Sequence, residues 1–237
     1  MYRLYHELAH RYDLHTPPGH YQHDHAFVLE EAGRLSPSCR LLDVGCGTGV
    51  LLEKALAAGL DGYGIDSSPE MVEVARRRVG SERVRVERMQ EISEEAAYDL
   101  VCLVSWPIHY CESEAELADV VHRCRRALRP GGVLLLQVAD EERMDGSVHV
   151  DTEPGPAGEP EDTIFVHQFR PLHDAEHRVI AEYVYVSRSH GEILSEKHEL
   201  RFAKPSLIVD ILRNAGFQDV SVVKSGSVSP FVIGKVG

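Results

Sequence analysis

The sequence has no paired cysteines, no long apolar run and no excess of basic residues. Its five cysteines, Cys39, Cys46, Cys102, Cys111 and Cys124, are odd in number and contain no Cys-x-x-Cys pair. That argues against a disulfide framework or a zinc knuckle and leaves reduced thiols in a cytoplasm as the plain expectation. No stretch approaches the roughly 20 apolar residues of a membrane span, and the opening MYRLYH has no apolar run after its first basic residue, so neither a membrane segment nor an export signal is expected. With 25 Lys and Arg against 38 Asp and Glu, the formal charge is −13. Such a field repels polyanions, so no nucleic acid or anionic lipid partner is expected. The basic cluster Arg76, Arg77, Arg78, Arg83, Arg85 and Arg88 then reads as a solvated helix face. His6 and His10 are spaced i, i+4, but no zincin-type Glu accompanies them, so no metal site is expected. What remains is an acidic chain of 237 residues, 43% hydrophobic, enough for one core with a modest insertion.

From Arg40 onward, short apolar runs alternate with amphipathic segments, the pattern of a parallel sheet covered by helices on both faces. Strands are expected at Arg40 to Val44, Gly62 to Asp66, Val84 to Val86, Asp99 to Ser105 and Val133 to Val138. Between them come helices from Val50 to Ala58, from Ser67-Ser68-Pro69-Glu70 onward, and from Glu112 to Leu128, the last stopped by Arg129-Pro130-Gly131-Gly132. Asp151 to Asp162, reading DTEPGPAGEPED, is expected to be a solvated loop. Beyond it, Thr163 to Phe169, Val179 to Arg188 and Glu192 to Phe202 alternate apolar and polar residues as antiparallel strands do. A helix from Ser206 to Asn214 and two strands, Val220 to Val223 and Pro230 to Ile233, complete the pattern. Ahead of the first strand, a helix from about Tyr21 to Arg34 implies a helical cap. The expected organisation is thus an N-terminal helical lid (1–35), a Rossmann-like α/β core (36–140), an acidic loop with an antiparallel strand insertion (141–204) that covers the substrate or makes a dimer contact, and a C-terminal part of the core (205–237).

The strongest local signal is Leu41-Leu42-Asp43-Val44-Gly45-Cys46-Gly47-Thr48-Gly49, an apolar strand that ends in an acid and runs into alternating glycines before a helix. Glycines let the backbone turn sharply and approach a ligand closely. A dinucleotide pyrophosphate could use such a turn. Asp43 argues against that, because an anion there would repel phosphate and suits a ligand carrying a sulfonium and an ammonium group.

Here the sequence resembles class I S-adenosylmethionine-dependent methyltransferases of the small-molecule type, whose acid-x-Gly-x-Gly-x-Gly loop is matched by Asp43, Gly45, Gly47 and Gly49. The resemblance extends to Gly62-Tyr63-Gly64-Ile65-Asp66, where the family places an acid on the ribose hydroxyls, and to Tyr98-Asp99-Leu100-Val101 and Leu128-Arg129-Pro130-Gly131-Gly132. It implies a seven-stranded, mostly parallel sheet with its last strand antiparallel. It also implies S-adenosylmethionine as cofactor and a small-molecule methyl acceptor. Cofactor-binding residues carried over are Tyr12, Tyr21, Asp43, Gly45, Cys46, Gly47, Gly49, Asp66, Ser67, Met71, Met89, Gln90 and Val104. The tyrosines are chosen because the N-terminal segment is similar to that of amino-sugar N-methyltransferases, where tyrosines close over the cofactor. One departure is Arg88, which stands where the family usually has an acid for the adenine amino group, leaving Met89 to pack on the ring and the backbone near Gln90 to bond its edge.

The acceptor is expected beside Ser105-Trp106-Pro107-Ile108-His109-Tyr110, with Trp106, His109 and Tyr110 as substrate-binding residues and His109 as the candidate base. Nitrogen is the preferred acceptor atom on resemblance. O-methylation with His109 as general base, a cofactor-binding protein without turnover, and a nicotinamide-dependent oxidoreductase are the rivals. The segment from about Met1 to His25 is expected to be mobile without ligand and ordered with it, because its Pro-Pro-Gly break and many polar histidines leave little apolar surface to pin it down. Whether the chain pairs as a homodimer is left open by the sequence.

Overall fold

The computed structural model describes residues 2–16, 21–139, 144–153, 163–172, 177–188, 191–224 and 229–237. Its centre is a seven-stranded sheet made of β1 (Arg40–Val44), β2 (Asp61–Asp66), β3 (Val84–Val86), β4 (Tyr98–Leu103), β5 (Leu128–Gln137), β10 (Gln218–Val223) and β11 (Phe231–Lys235). Their order across the sheet is β10-β11-β5-β4-β1-β2-β3. β1 pairs in parallel with both β2 and β4, β4 pairs in parallel with β5, and β11 runs antiparallel to both of its neighbours. The order reverses at β1, so the crevice at the carboxyl ends of β1 and β4 is the place where ligands bind in open sheets of this kind.

Successive strand residues face opposite sides, and the core divides accordingly. Leu42, Val101, Leu103 and Leu134 join α5 (Glu114–Ala127) and α6 (Pro205–Asn214) in one apolar cluster. Leu41, Leu100, Cys102 and Leu135 join α2 (Gln22–Leu35), α3 (Val50–Ala57) and α4 (Pro69–Val79) in the other. Ser68 starts α4 by accepting the Met71 amide at 3.1 Å, with Pro69 in the first turn.

A second sheet of four antiparallel strands, β6 (Val148–Glu153), β7 (Thr163–Pro171), β8 (Arg178–Ser187) and β9 (Glu192–Arg201), forms the insertion. β6 corrects the sequence reading, which began the solvated loop at Asp151: the alternating Val148-His149-Val150 run carries the ladder through Glu153, opposite Thr163. The rest of that loop, 154–162, lies outside the described residues, as do Pro17 to His20 of the N-terminal break. A second correction concerns β5. It starts at Leu128, ahead of the Pro-Gly-Gly, because Leu128 pairs with Tyr98 and the ladder shifts register before Leu100 meets Val133. The glycines act as an irregularity within a strand and do not form a separate turn.

The N-terminal segment consists of short turns at Arg3–Tyr5 and Ala9–Arg11 and the one-turn helix α1 (Tyr12–His15). Leu4 and Ala9 are buried, 3% and 2% exposed, contrary to the expectation that this segment has little to pin it down.

Candidate active site

The glycine loop leaves β1 beneath the end of β2, and the amides of Gly45 and Cys46 both donate to the Ile65 carbonyl at 2.8 and 3.0 Å. Gly47 sits at φ +53, lines the adjoining cavity, and a Cβ built on it would meet no atom within 4 Å. A side chain there would occupy the ligand space, so glycine keeps a cradle open. Gly49 has a different task. It caps α3 at φ +80, and a Cβ would come within 3.1 Å of Ala75 on α4. It lines neither cavity described below, and its evident place is in the packing of α3 on α4.

Asp66 ends β2 and ties two loops together. Its Oδ2 accepts the Gly47 amide and its Oδ1 the Ser68 amide, each at 2.9 Å. These bonds fix the carboxylate and favour its charge, yet burial outweighs them and holds its pKa above the usual carboxylate value. Asp43 is 3% exposed. Burial pushes its pKa up to about 7, Asp66 adds repulsion, and only the Cys102 thiol, 3.7 Å from Oδ1, offsets this. Two carboxylates under strain of this kind are arranged for a cation or for hydroxyl donors.

One cavity, of about 300 Å³, spans Gly45 and Gly47, Asp66 to Ser68, Met71, Glu87 to Gln90, Val104 and Ser105, and then Tyr2, Tyr5, Tyr12 and Tyr110. A smaller one of about 70 Å³ adjoins it at Asp43, Cys46, Thr48 and Tyr21. Tyr12 lines both. The residues carried over for cofactor binding, Gly49 excepted, therefore gather on one connected surface. At the β3 end, Glu87 pairs with Arg85, Arg88 is exposed, and the Gln90 side chain donates to Glu116 at 2.8 Å. No free carboxylate replaces the missing adenine acid there, and the Gln90 backbone with Met89 is what that wall offers.

The turn after β4 is strained, with Ser105 and Trp106 at φ +64 and +68. It overturns two expectations. Trp106 turns away from the cavity and packs on Phe169, ring centroids 5.1 Å apart, because the insertion sheet offers it an apolar surface. His109 is 1% exposed and does not line either cavity. Its Nε2 accepts the Ala139 amide and its Nδ1 lies against the Arg201 carbonyl, both at 2.9 Å. Burial drives its pKa down to about 4. Both nitrogens are occupied in joining the turn to β9 and to the segment just after β5, which leaves the ring no free lone pair to offer an acceptor.

Tyr110 does line the cavity. Its hydroxyl is 2.9 Å from that of Tyr5 and 2.7 Å from His198 Nδ1. Sequence reasoning missed His198 and Glu196 on β9, although the alternation Leu194, Glu196, His198, Leu200 places them on the inward face. It also missed the fastenings of the N-terminal segment. Glu196 accepts the Arg3 and Leu4 amides, the latter at 2.9 Å, Tyr2 stacks on His198 at 3.8 Å, and Arg11 pairs with Glu192. On the core side, Asp13 accepts the Thr48 hydroxyl at 2.6 Å and pairs with Arg78. The Ser68 hydroxyl donates to the Tyr5 carbonyl, and His6 Nδ1 lies 2.6 Å from Glu70. Among the described residues no group of His, Cys, Asp and Glu could hold a metal ion, and no helix is long and apolar enough to cross a membrane.

Comparison with known proteins agrees with this construction. Residues 41–132 match the family described as Methyltransferase domain. The ubiquinone biosynthesis O-methyltransferase of Klebsiella pneumoniae subsp. pneumoniae is 33% identical over 112 residues, 45% of this chain and 44% of that protein. The aligned part spans only 44% to 60% of the length of the first curated relatives it matches. In fold, the chain is similar to the sugar N-methyltransferase KedS8 of Streptoalloteichus sp. ATCC 53650, with TM-score 0.70, 24% identity, and 90% of this chain and 86% of that one covered. It is also similar to CalS10, an amino pentose methyltransferase of Micromonospora echinaspora described as S-adenosylmethionine-bound, with TM-score 0.71, 24% identity and 90% of each chain covered.

Proposed function

From the methyltransferase domain that residues 41–132 form, we propose that this chain transfers a methyl group from S-adenosylmethionine to a nitrogen of a small organic molecule. The observation that carries the reading is the pair of carboxylates, buried Asp43 and half-buried Asp66, beside the open space at Gly47 that no side chain fills. Asp43 would hold the ammonium end and Asp66 the ribose diol, while Met71, Met89 and the Gln90 backbone would form the adenine wall. Bound there, S-adenosylmethionine supplies a methyl group on a sulfonium, a leaving group that needs no further activation. The protein's own work is then alignment and exclusion of water. Tyr12 and Tyr21 close one end of the cavity, and Tyr2, Tyr5 and Tyr110 wall the other.

Nitrogen is favoured over oxygen by where the likenesses lie. The match to the O-methyltransferase covers 45% of the chain. The fold likeness to a sugar N-methyltransferase and an amino pentose methyltransferase covers 90%, enough to take in much of the N-terminal segment and insertion that wall the acceptor end. A cytoplasmic location fits the five buried free thiols. Calorimetric titration with S-adenosylmethionine, S-adenosylhomocysteine and NAD tests the cofactor. The first two should bind and NAD should not; equal affinity for NAD overturns the assignment. Release of S-adenosylhomocysteine over a panel of amino sugars and phenols tests the acceptor, with turnover confined to phenols counting against nitrogen.

A further inference from the structure

The acceptor end contains a chain of hydrogen-bonding groups whose direction can be deduced. His198 is fully buried, and its Nε2 lies 3.3 Å from Glu196 Oε2. The contact lacks hydrogen-bond geometry, but a bare Nε2 lone pair facing that carboxylate oxygen is repelled whereas Nε2–H is attracted, so electrostatics favours the neutral ring with its proton on Nε2. Nδ1 is then an acceptor, and the Tyr110 hydroxyl at 2.7 Å donates to it. Tyr110 has a single proton, so at 2.9 Å the Tyr5 hydroxyl donates to Tyr110. One lone pair of the Tyr110 oxygen remains uncommitted, on a residue that lines the cavity.

Resting on the reading above, we propose that Tyr110 is the catalytic residue that takes the acceptor's proton, with His198 and Glu196 as positioning residues behind it. Most aliphatic amines arrive protonated at neutral pH, and an ammonium has no lone pair with which to attack. The ammonium N–H bond breaks as its proton passes to the Tyr110 oxygen. The Tyr110 O–H bond breaks in the same step as its proton passes to His198 Nδ1. The result is a neutral amine, an unchanged phenol and an imidazolium facing the Glu196 carboxylate, with charge conserved throughout. The nitrogen then attacks, and the imidazolium later returns its proton to solvent when the site opens.

The surroundings fit a ring that is neutral at rest. Burial holds the His198 pKa below the ordinary histidine value, while Glu196 opposes that shift. The other titratable groups that face it are Tyr110, Tyr2 and Tyr5 from the N-terminal stretch, and Tyr183 of β8 at 5.0 Å, with no cation among them. Glu196 also accepts the Arg3 and Leu4 amides, so the N-terminal turn fixes the carboxylate that the imidazolium would face.

Two measurements test this. Histidine-selective ¹⁵N NMR of the protein loaded with S-adenosylhomocysteine reads the tautomer without any acceptor. His198 should carry its proton on Nε2, and a proton on Nδ1 overturns the relay. Then, with an amino sugar methylated by the wild type as probe, Tyr110→Phe and His198→Asn should lower kcat about 10²–10⁴-fold while calorimetric affinity for S-adenosylmethionine stays within about twofold. The acid limb of the wild-type pH–rate profile should move upward in His198→Asn, toward the pKa of the free amine, because only amine that arrives neutral then reacts; loosened packing alone would not produce that move. Unchanged kcat in Tyr110→Phe, or an acid limb left in place in His198→Asn, overturns the proposal. Absence of turnover on every amine by the wild type, with S-adenosylmethionine bound, would instead overturn the acceptor assignment, and the tautomer measurement would still decide the relay.

Discussion

The two ends of the cavity are built by different means. At the Asp43 and Asp66 end, backbone does the positioning: strand ends, a glycine loop and amides that grip a carboxylate, all from consecutive β-α units. At the Tyr110 end, side chains from three distant stretches converge: Tyr2 and Tyr5, Tyr110, and Glu196 with His198. A site made by backbone tolerates little change in the sequence that folds it. A site made by converging side chains can be re-lined while the sheet stays the same, which is how one fold serves many acceptors.

Substitutions at the backbone-built end should have the larger effects. Asp43→Asn should weaken S-adenosylmethionine binding at least 100-fold by calorimetry, since a buried charge facing an ammonium is lost. The same change should stabilise the ligand-free protein at pH 8 in urea unfolding, by on the order of 4 kcal/mol, because it removes a carboxylate held near pKa 7 against 3.8 when unfolded. The sign follows from proton binding: between about pH 4 and pH 7 the folded state binds more protons than the unfolded one. Ligand-free wild type should therefore lose stability as pH rises through that window, and cofactor affinity should rise as Asp43 ionises near pH 7. A stability curve flat from pH 4 to pH 7 in wild type would contradict this.

Asp66→Ala should cost about 1–3 kcal/mol of cofactor affinity, the loss of charge-assisted hydrogen bonds to a diol. An unchanged dissociation constant would place the ribose elsewhere. At the side-chain-built end, Glu196→Gln should act on the N-terminal segment. Hydrogen exchange of the Arg3 and Leu4 amides should speed up several-fold while that of β1 stays unchanged. The smallest effect on chemistry is expected at His109. His109→Asn should leave the pH dependence of turnover intact and cost about 1–3 kcal/mol of stability, as the Ala139 amide or the Arg201 carbonyl loses its partner. Loss of a pH limb in that variant would return His109 to the chemistry.

The same contrast explains what could be read from sequence. Asp43, Gly47 and Asp66 are legible because strand, acid and glycine lie next to one another in the chain, and local order is what periodicity and turn chemistry report. His109 was misplaced because a histidine beside a crevice in sequence can turn either way, and only the distant Ala139 amide and Arg201 carbonyl decide it. Trp106 likewise follows Phe169, 63 positions away, into the insertion's core. Glu196 and His198 lie on a strand whose alternation was visible, but nothing local says that its inward face meets Tyr110. The ties of the N-terminal segment through Asp13, Tyr5 and Arg11 were likewise beyond local reading, since the partners of these residues lie up to 181 positions away.

Tyr12 lines both the Asp43 pocket and the larger cavity, and the neighbouring Asp13 is pinned by Arg78 and Thr48. A molecule touching both carboxylates would lie beside that ring, so the clasp at Asp13 would bear on how long it dwells, though it is remote from the reacting atoms. Raised salt, which weakens an ion pair, should then shorten that dwell time before it spoils binding.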